Sequence, residues 1–598
     1  MKRICIVKKE KCNPLACGNY LCIRICPINR KGEDCIIKTP DGKVGINEEL
    51  CIGCGICPNK CPFEALDIVN LPEALTKEPV HRYGENGFAL YNLPVPIFGK
   101  VVGIVGKNGI GKSTALKILA GVEKPNLGIP GKEITHDQLI DYFKGSEAQT
   151  FFEKVKKGKV KLSYKPQQVD LIPRQYKGTV KDLLKKVDEK KEFEKIADAL
   201  ELKAFLDHDI SKISGGELQR VAIAACVLKK ADVYFFDEPT SYLDVKQRLK
   251  ISQFIRSLAT EQVGVIVVEH DLIILDYMAD LIHMMYGKPA AYGVVSQPKA
   301  AKAGINTYLS GFLKEENVRF RENAIKFEAR PPIDIKRLHL LTEWQASRQK
   351  LGSFELEAGT GKIYKNDIIG VLGENGIGKT TFVRVLAGEI SGQSPLVQKA
   401  KLSDIKGHEL ALAGLRVSYK PQYLEAKDEL VMTFIQEAIN KYEVQLIRPL
   451  ELKELFMRKM NELSGGELQR LWIAKCLSED ADIILMDEPS AYLDVEQRLR
   501  LGKIVRDMLN ITGRSILIVD HDILFIDTIS DRLVVFEGKP AVHGKAEGPF
   551  FMEEGMNKFL KSIDLTFRRD EESKRPRINK PGSQKDQEQK KSGKLYYA

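Results

Sequence analysis

Long apolar runs are missing from this sequence. No stretch approaches the roughly 18–20 consecutive apolar residues needed to cross a bilayer, so no transmembrane domain and no membrane partner is expected. Cysteine is almost missing from most of the chain: of twelve, ten fall within the first 61 residues. A disulfide scaffold would need a secreted chain, and Met1-Lys-Arg opens no signal peptide. A reducing, cytoplasmic setting is expected instead. No Gly-x-Gly-x-x-Gly follows a strand, which removes the usual dinucleotide fingerprint. Charge of one sign is lacking over the body of the protein. The net charge is +11, yet residues 1–61 hold 11 Lys/Arg against 6 Asp/Glu, and residues 568–598 hold 10 against 5. The excess lies at the two ends. A basic head and tail suit a polyanionic partner; for the tail, a solubilising end is the equal alternative.

What is present begins with the cysteines. Cys51-x2-Cys54-x2-Cys57-x3-Cys61-Pro62 has the spacing with which bacterial ferredoxins hold a four-iron cluster. Short glycine-bearing loops (Gly53, Gly55) let three thiolates converge, and the cysteine before proline turns to the neighbouring cluster. Cys12-x4-Cys17-x4-Cys22-x3-Cys26-Pro27 repeats the pattern with wider gaps. The crossed reading gives two 4Fe-4S clusters, one on Cys12, Cys17, Cys22 and Cys61, the other on Cys26, Cys51, Cys54 and Cys57. Cys5 and Cys35 are left over. Zinc is the competing reading, although four-cysteine zinc sites use paired CxxC knuckles.

An ATPase motif set then occurs twice. A buried strand from Val101 runs into Gly106-x4-Gly111-Lys112-Ser113, and a second copy stands at Gly373-x4-Gly378-Lys379-Thr380. Glycines let backbone N–H groups wrap the phosphates, the lysine reaches the β/γ oxygens, and the hydroxyl ligates Mg²⁺. The nucleotide-binding set is Gly106, Asn108, Gly109, Gly111, Lys112, Ser113 and Thr114, then Gly373, Asn375, Gly376, Gly378, Lys379, Thr380 and Thr381. Apolar strands end in Asp237-Glu238 and Asp487-Glu488, the Asp placed for Mg²⁺ and the Glu to polarise attacking water. Ser214-Gly215-Gly216-Glu217 and Ser464-Gly465-Gly466-Glu467 resemble the ABC signature. Gln167 and Gln422, each in Tyr-Lys-Pro-Gln, resemble Q-loops and add to the Mg²⁺ set. Asp244 and Asp494 close D-loop-like segments. His270 and His521 resemble switch histidines and join Glu238 and Glu488 as catalytic candidates. The fold class expected is two tandem α/β P-loop domains of ABC type behind an α+β ferredoxin-like domain.

Spacing locates what differs between the halves. Signature Ser to catalytic Glu is 24 residues in both, but P-loop Lys to signature Ser is 102 in the first and 85 in the second. Most of the surplus precedes the Q-loop, at Ile134–Gly158, where a helix (136–143), a turn and a second helix (147–157) are expected. Taken alone, this insertion reads as a solvated surface excursion. Tyr83 or Phe88 before the first P-loop, and Phe354 before the second, are candidate adenine platforms.

The whole chain resembles the ABC-E family of twin ATPases, ribosome recycling factors formerly called RNase L inhibitor. Family-like stretches include Leu50-Cys-Ile-Gly-Cys-Gly-Ile-Cys, Cys61-Pro-Phe-Glu-Ala and His81-Arg-Tyr-Gly, with Leu-Gln-Arg after both signatures and Tyr-Leu-Asp in both D-loops. The resemblance, which points to archaeal members, implies a ferredoxin-like domain at 1–75 and a first ATPase domain at 76–310 with its insertion at about 134–158. A hinge at 311–330, a second ATPase domain at 331–545 and a second hinge at 546–570 follow. The remainder, 571–598, has no counterpart and reads as a disordered basic tail. The resemblance implies ATP hydrolysis that splits ribosomes after termination or stalling. Its implied partners are the small ribosomal subunit, ribosomal RNA, and a release factor or its stalled-ribosome relative. It also implies a monomer with an intramolecular pair of ABC domains, in which each ATP lies between one P-loop and the other domain's signature. An ATP-gated iron–sulfur redox enzyme is the alternative. A DNA-handling ABC ATPase fits poorly, because 102 and 85 residues leave no room for a long coiled coil.

Overall fold

Proline decides how the cysteine-rich head is built. In the computed structural model, which describes residues 3–9, 11–47, 50–70, 78–327, 339–388 and 415–597, helices α1 (Leu21–Ile25) and α2 (Ile56–Lys60) each stop at Cys-Pro. The residue before a proline is pushed out of the helical region, and Cys26 and Cys61 accordingly have extended backbones. Each motif's last thiol thus leaves the helix that carries its neighbour. Strand β1 (Arg3–Val7) pairs antiparallel with β4 (Leu66–Asn70), and β2 (Ile36–Lys38) with β3 (Val44–Ile46). Residues 71–77, around the boundary expected at 75, and the end of the first hinge lie outside the described residues.

The chain divides into two units. The first comprises Met1–Tyr242, Ile251–His270 and Met278–Ile325; the second comprises Leu243–Lys250, Asp271–Tyr277 and Lys326–Ala598. Head and first ATPase sheet fall together, so the boundary expected at 75 does not separate compact units. Asn86 Nδ2 donates to Ile46 O (2.6 Å), and Lys288 pairs with Asp67.

In the first unit, β5 (Val101–Val105) leads through the P-loop into α3 (Lys112–Leu119). The insertion carries α4 (His136–Tyr142) and α5 (Glu147–Lys156). Then come β6 (Leu162–Lys165), α6 (Gly215–Val227), β7 (Val233–Asp237), β8 (Gly264–Val268) and β9 (Leu281–Lys288). The parallel centre of this sheet runs β9–β5–β8–β7–β6. Every residue of β5, β7 and β8 is buried. Such unbroken apolar strands mark a parallel sheet covered on both faces, with its loops gathered at the carboxyl ends.

The second unit repeats the order with β10 (Ile368–Leu372), α7 (Lys379–Leu386), β11 (Val417–Lys420), α8 (Gly465–Ser478), β12 (Ile483–Asp487), β13 (Ser515–Val519) and β14 (Arg532–Lys539). Its parallel centre runs β14–β10–β13–β12–β11. Among the described residues no helix is long and apolar enough to cross a membrane.

Two expectations are corrected. The insertion is not a solvated excursion: Leu139, Phe143, Ala148, Phe151 and Phe152 join the apolar cluster beneath the first P-loop. The Phe143 and Phe152 rings stack 5.6 Å apart, and Thr135 and Gln138 form a capping box at the start of α4.

The tail is folded. β15 (Phe567–Arg569) and β16 (Pro576–Ile578) form a hairpin, followed by α11 (Gln584–Ser592); beyond that helix Leu595 N–H donates to Asn557 of α10 (Met552–Ser562) and Tyr596 donates to Asp527 of α9 (Ile523–Ile529). Its polar composition conceals pairing. Arg575 is fully buried against Asp276 (3.2 Å), Arg577 also grips Asp276 (2.6 Å), and Thr566 donates to Asp586 (2.7 Å). At the end, Tyr596 and Tyr597 both donate to Asp527 (2.5 and 3.3 Å). Changing both tyrosines to Phe leaves that carboxylate without two donors, at about 1.5–3 kcal/mol for a hydrogen bond to a charged group. Faster amide exchange across 566–597, with exchange in β10 unchanged, is the expected result.

Candidate functional site

Each P-loop leaves a buried strand and enters a helix at a glycine in the left-handed region, Gly111 (φ 89°) and Gly378 (φ 91°). A side chain there is excluded twice over. A Cβ on Gly111 would stand 2.6 Å from the Phe88 ring, and one on Gly378 would stand 2.7 Å from Phe354. Phe88 and Phe354 therefore occupy equivalent places as wedges beneath their loops. Tyr83 is exposed beside the P-loop helix, its hydroxyl 3.4 Å from Thr114 Oγ1. Lys112 Nζ donates to Gly106 O (2.9 Å) and Lys107 O (2.7 Å); Lys379 Nζ donates to Gly373 O (3.0 Å) and Glu374 O. Both ammonium groups are held over the loop, and burial pushes Lys379 down to about 8. Within the second unit, Asp244 of the D-loop accepts from the Asn375 N–H (2.8 Å).

Asp237 and Asp487 end β7 and β12, all but fully buried. Burial raises both carboxyls, Asp487 to about 6, and the charge on the following glutamate adds to the shift. Among the described residues, Asp237 Oδ1 and both Asp487 oxygens have no donor within hydrogen-bonding distance. Orphaned buried carboxylate oxygens are costly without a cation or donor, and the Ser113 and Thr380 hydroxyls act on these same groups. That donor set fits Mg²⁺, an oxygen-seeking cation.

The glutamates that follow are in the left-handed region although not glycine, Glu238 at φ 47° and Glu488 at φ 46°. Gln167 donates to Glu238 Oε1 (2.7 Å) and Gln422 to Glu488 Oε1 (2.8 Å). His270 Nε2 lies 3.2 Å from Glu238 Oε1, and His521 Nε2 3.4 Å from Glu488 Oε1. The first site has one more donor, Ser241 Oγ at 3.2 Å from Glu238 Oε2, where the second carries Ala491. Burial works to raise Glu238, but the His270 charge and these donors overcome it and hold the carboxyl at about 2; Glu488 is lowered in the same way. Such a group stays ionised and orients water.

Ser214 and Ser464 cap α6 and α8 with complete capping boxes, each closed by the glutamate three residues on. Both serines are exposed, so the helix amino ends, with Gly215, Gly216, Gly465 and Gly466, face outward as anion-binding surfaces.

In the head the thiols line two cavities. Cys12, Cys17, Cys22 and Cys61 line one, and Cys26, Cys51, Cys54 and Cys57 the other; Cys57 also borders the first and Cys35 the second. Cys5 Sγ lies 3.7 Å from Cys57 Sγ. Among the described residues no three ligating groups meet at the distance of a single ion. Thiols spread around a cavity suit a cluster, which is larger than an ion.

Sequence reasoning missed four buried groups behind the glutamates: Lys165, Lys420, Gln219 and Gln469. The available signal was their exact recurrence in Tyr-Lys-Pro-Gln and Leu-Gln-Arg in both halves.

Residues 98–241 and 356–491 match the ABC transporter family model, and residues 44–67 match the 4Fe-4S binding domain. An uncharacterized ABC transporter ATP-binding protein of Methanocaldococcus jannaschii is 50% identical over all of this chain and 97% of its own length. A solved structure described as ribosome-bound archaeal Pelota and ABCE1 matches at TM-score 0.91 and 49% identity, covering 100% of this chain and 99% of that one. A crystal structure of archaeal ribosomal stalk protein aP1 with the archaeal ribosome recycling factor aABCE1 matches at TM-score 0.79 and 49% identity, covering 87% of this chain and 99% of that one. With an iron–sulfur domain ahead of two ATP-hydrolysing ABC domains, the chain belongs to the ABC-E family of twin ATPases.

Proposed function

We propose that the protein recycles ribosomes, splitting them into subunits after termination or stalling. What carries this reading is likeness over the entire chain to a ribosome-bound structure, joined to two hydrolysis sites built on the same Gln, Asp, Glu and His set. Each ATP is taken by one domain's P-loop and the other domain's signature: Lys112, Ser113, Asp237 and Glu238 with Ser464 and Gly466, and Lys379, Thr380, Asp487 and Glu488 with Ser214 and Gly216. The outward-facing signature serines support this, because their helix ends are free to receive a phosphate from elsewhere. A γ-phosphate contact made only on closure is a differential affinity, which is what shifts a two-state equilibrium. Moving it from 1:99 to 99:1 takes about 5.5 kcal/mol, a reasonable demand on two nucleotides.

Ser113, Gln167 and Asp237, and their counterparts Thr380, Gln422 and Asp487, would hold Mg²⁺, which would supply neutralisation of phosphate charge. Glu238 and Glu488 orient the water, and His270 and His521 steady the glutamates. The head holds two four-iron clusters in the crossed arrangement, which the two thiol-lined cavities support. Closure moves this basic head against ribosomal RNA on the small subunit, with a release factor or its stalled-ribosome relative beside it, in the cytoplasm. The protein acts as a monomer whose two ABC domains pair within the chain.

Gradient co-sedimentation tests the proposal. The protein should travel with small subunits when a non-hydrolysable ATP analogue is present, and intact ribosomes should decline. Failure to travel with any ribosomal particle under either condition would exclude it.

A further inference from the structure

Both catalytic glutamates occupy a backbone conformation that a side-chain-bearing residue adopts only at a cost. Such a conformation persists only where surrounding groups fix it. We propose that Lys165 and Lys420 are positioning residues, each working with Gln219 or Gln469 to hold the peptide carbonyls around the glutamate and so aim its carboxylate. The inference rests on the reading of Glu238 and Glu488 as the water-orienting groups.

The geometry is the same in both halves. Lys165 Nζ donates to Asp237 O (2.9 Å) and Glu238 O (3.2 Å), and Gln219 Nε2 donates to Glu238 O (2.6 Å). Lys420 Nζ donates to Asp487 O (2.8 Å), Pro421 O (3.1 Å) and Glu488 O (3.5 Å), and Gln469 Nε2 donates to Glu488 O (2.7 Å). The glutamate N–H is fixed as well, donating to Val268 O (3.0 Å) or Val519 O (2.8 Å) on the next strand. The glutamate is thus gripped before and after its Cα, and the left-handed turn follows.

One tetrapeptide performs two tasks. In Tyr-Lys-Pro-Gln the lysine holds the glutamate's backbone, and two residues on Gln167 or Gln422 holds its carboxylate. The lysine ends its strand, and in the first half Lys165 stands opposite Phe236, one residue before Asp237.

Stability alone does not account for these lysines. Both side chains are fully buried and their hydrogen bonds run to carbonyls, so each ammonium is desolvated with, among the described residues, no carboxylate bonded to it. Desolvating an ammonium is costly, and packing alone does not require it. A methionine would fill the same space but leave those carbonyls short of a donor, which itself costs stability, so the positioning role is read from turnover.

The test is Lys165→Met with Lys420→Met in the full chain. Turnover should fall about tenfold to a hundredfold, as for loss of groups that orient a reactive ligand, with ATP affinity unchanged. Wild-type turnover would overturn the proposal. So would a loss of ATP affinity in step with turnover, which marks a merely structural lysine. If the Met variant fails to fold, Gln219→Leu with Gln469→Leu removes the other donor to the same carbonyl. A loss confined to kcat supports the proposal there, and unchanged kcat overturns it. Glu238→Gln with Glu488→Gln is measured alongside. If that variant keeps turnover, the catalytic reading has failed and this inference falls with it; if it loses turnover while the lysine variant does not, only this inference fails.

Discussion

Steady-state ATP turnover should fall by about 10²- to 10⁴-fold when Glu238 and Glu488 are both changed to Gln, the range typical for loss of a positioned acid–base group. ATP binding should survive. Gln has the length of Glu and inherits the same backbone grip, since the donors to Asp237 O and Glu238 O do not depend on the carboxylate. What disappears is the negative charge that Gln167 and His270 now hold in place. The phosphate-binding parts, Lys112 on its loop and Ser214 at its helix end, are untouched. The variant should therefore retain unhydrolysed ATP, and on the proposed mechanism it should stay with small subunits after a single round of splitting. Measuring bound nucleotide by chromatography after rapid desalting reads this directly. If the variant fails to retain ATP, the glutamates support binding instead of hydrolysis.

How much of this could be read from the sequence depends on whether a residue acts through its own side chain. The P-loops, Asp237-Glu238 with its repeat, and the signature serines lie where spacing put them, because each sits at the end of a strand or the start of a helix with a strong local signal. Phe88 and Phe354 carried a weaker signal. Each ring is half-buried against the glycine of its P-loop, and spacing alone does not say which groups an aromatic's face will meet. Lys165 and Gln219 left only the recurrence of their motifs as a signal, since they act on another segment's main chain. The tail misled for a related reason. Its Lys, Gln and Ser content resembles a solvated arm, but Arg575 and Arg577 find their carboxylate at Asp276, about 300 positions earlier, and local composition carries no trace of such a partner. The paired arginines also leave less free charge for a polyanion than counting residues suggested.

Substituting Cys54 by Ser should remove about half the iron, about four of the eight atoms expected for two four-iron clusters. Cys54 lines the second cavity and not the first, so its loss should empty one site and leave the other's absorbance. Cys57 borders both cavities and lies 3.7 Å from Cys5. A Cys57→Ser variant should therefore lose more than half, because the thiolate leaves one cluster while the wall of the other shifts. Cys26→Ser should match Cys54→Ser if the assignment is crossed. If each motif instead served its own cluster, Cys26→Ser would spare the site that Cys54→Ser empties, and the two changes together would remove all the iron. ATP binding should persist in all of these variants. The P-loop is supported by β5, with a core of Val102, Ile104 and Leu116 separate from the apolar residues that pack around the thiols. Iron per chain after anaerobic purification, measured for both single variants and the double variant, separates the two arrangements. Stoichiometric zinc without visible cluster absorbance would reject both.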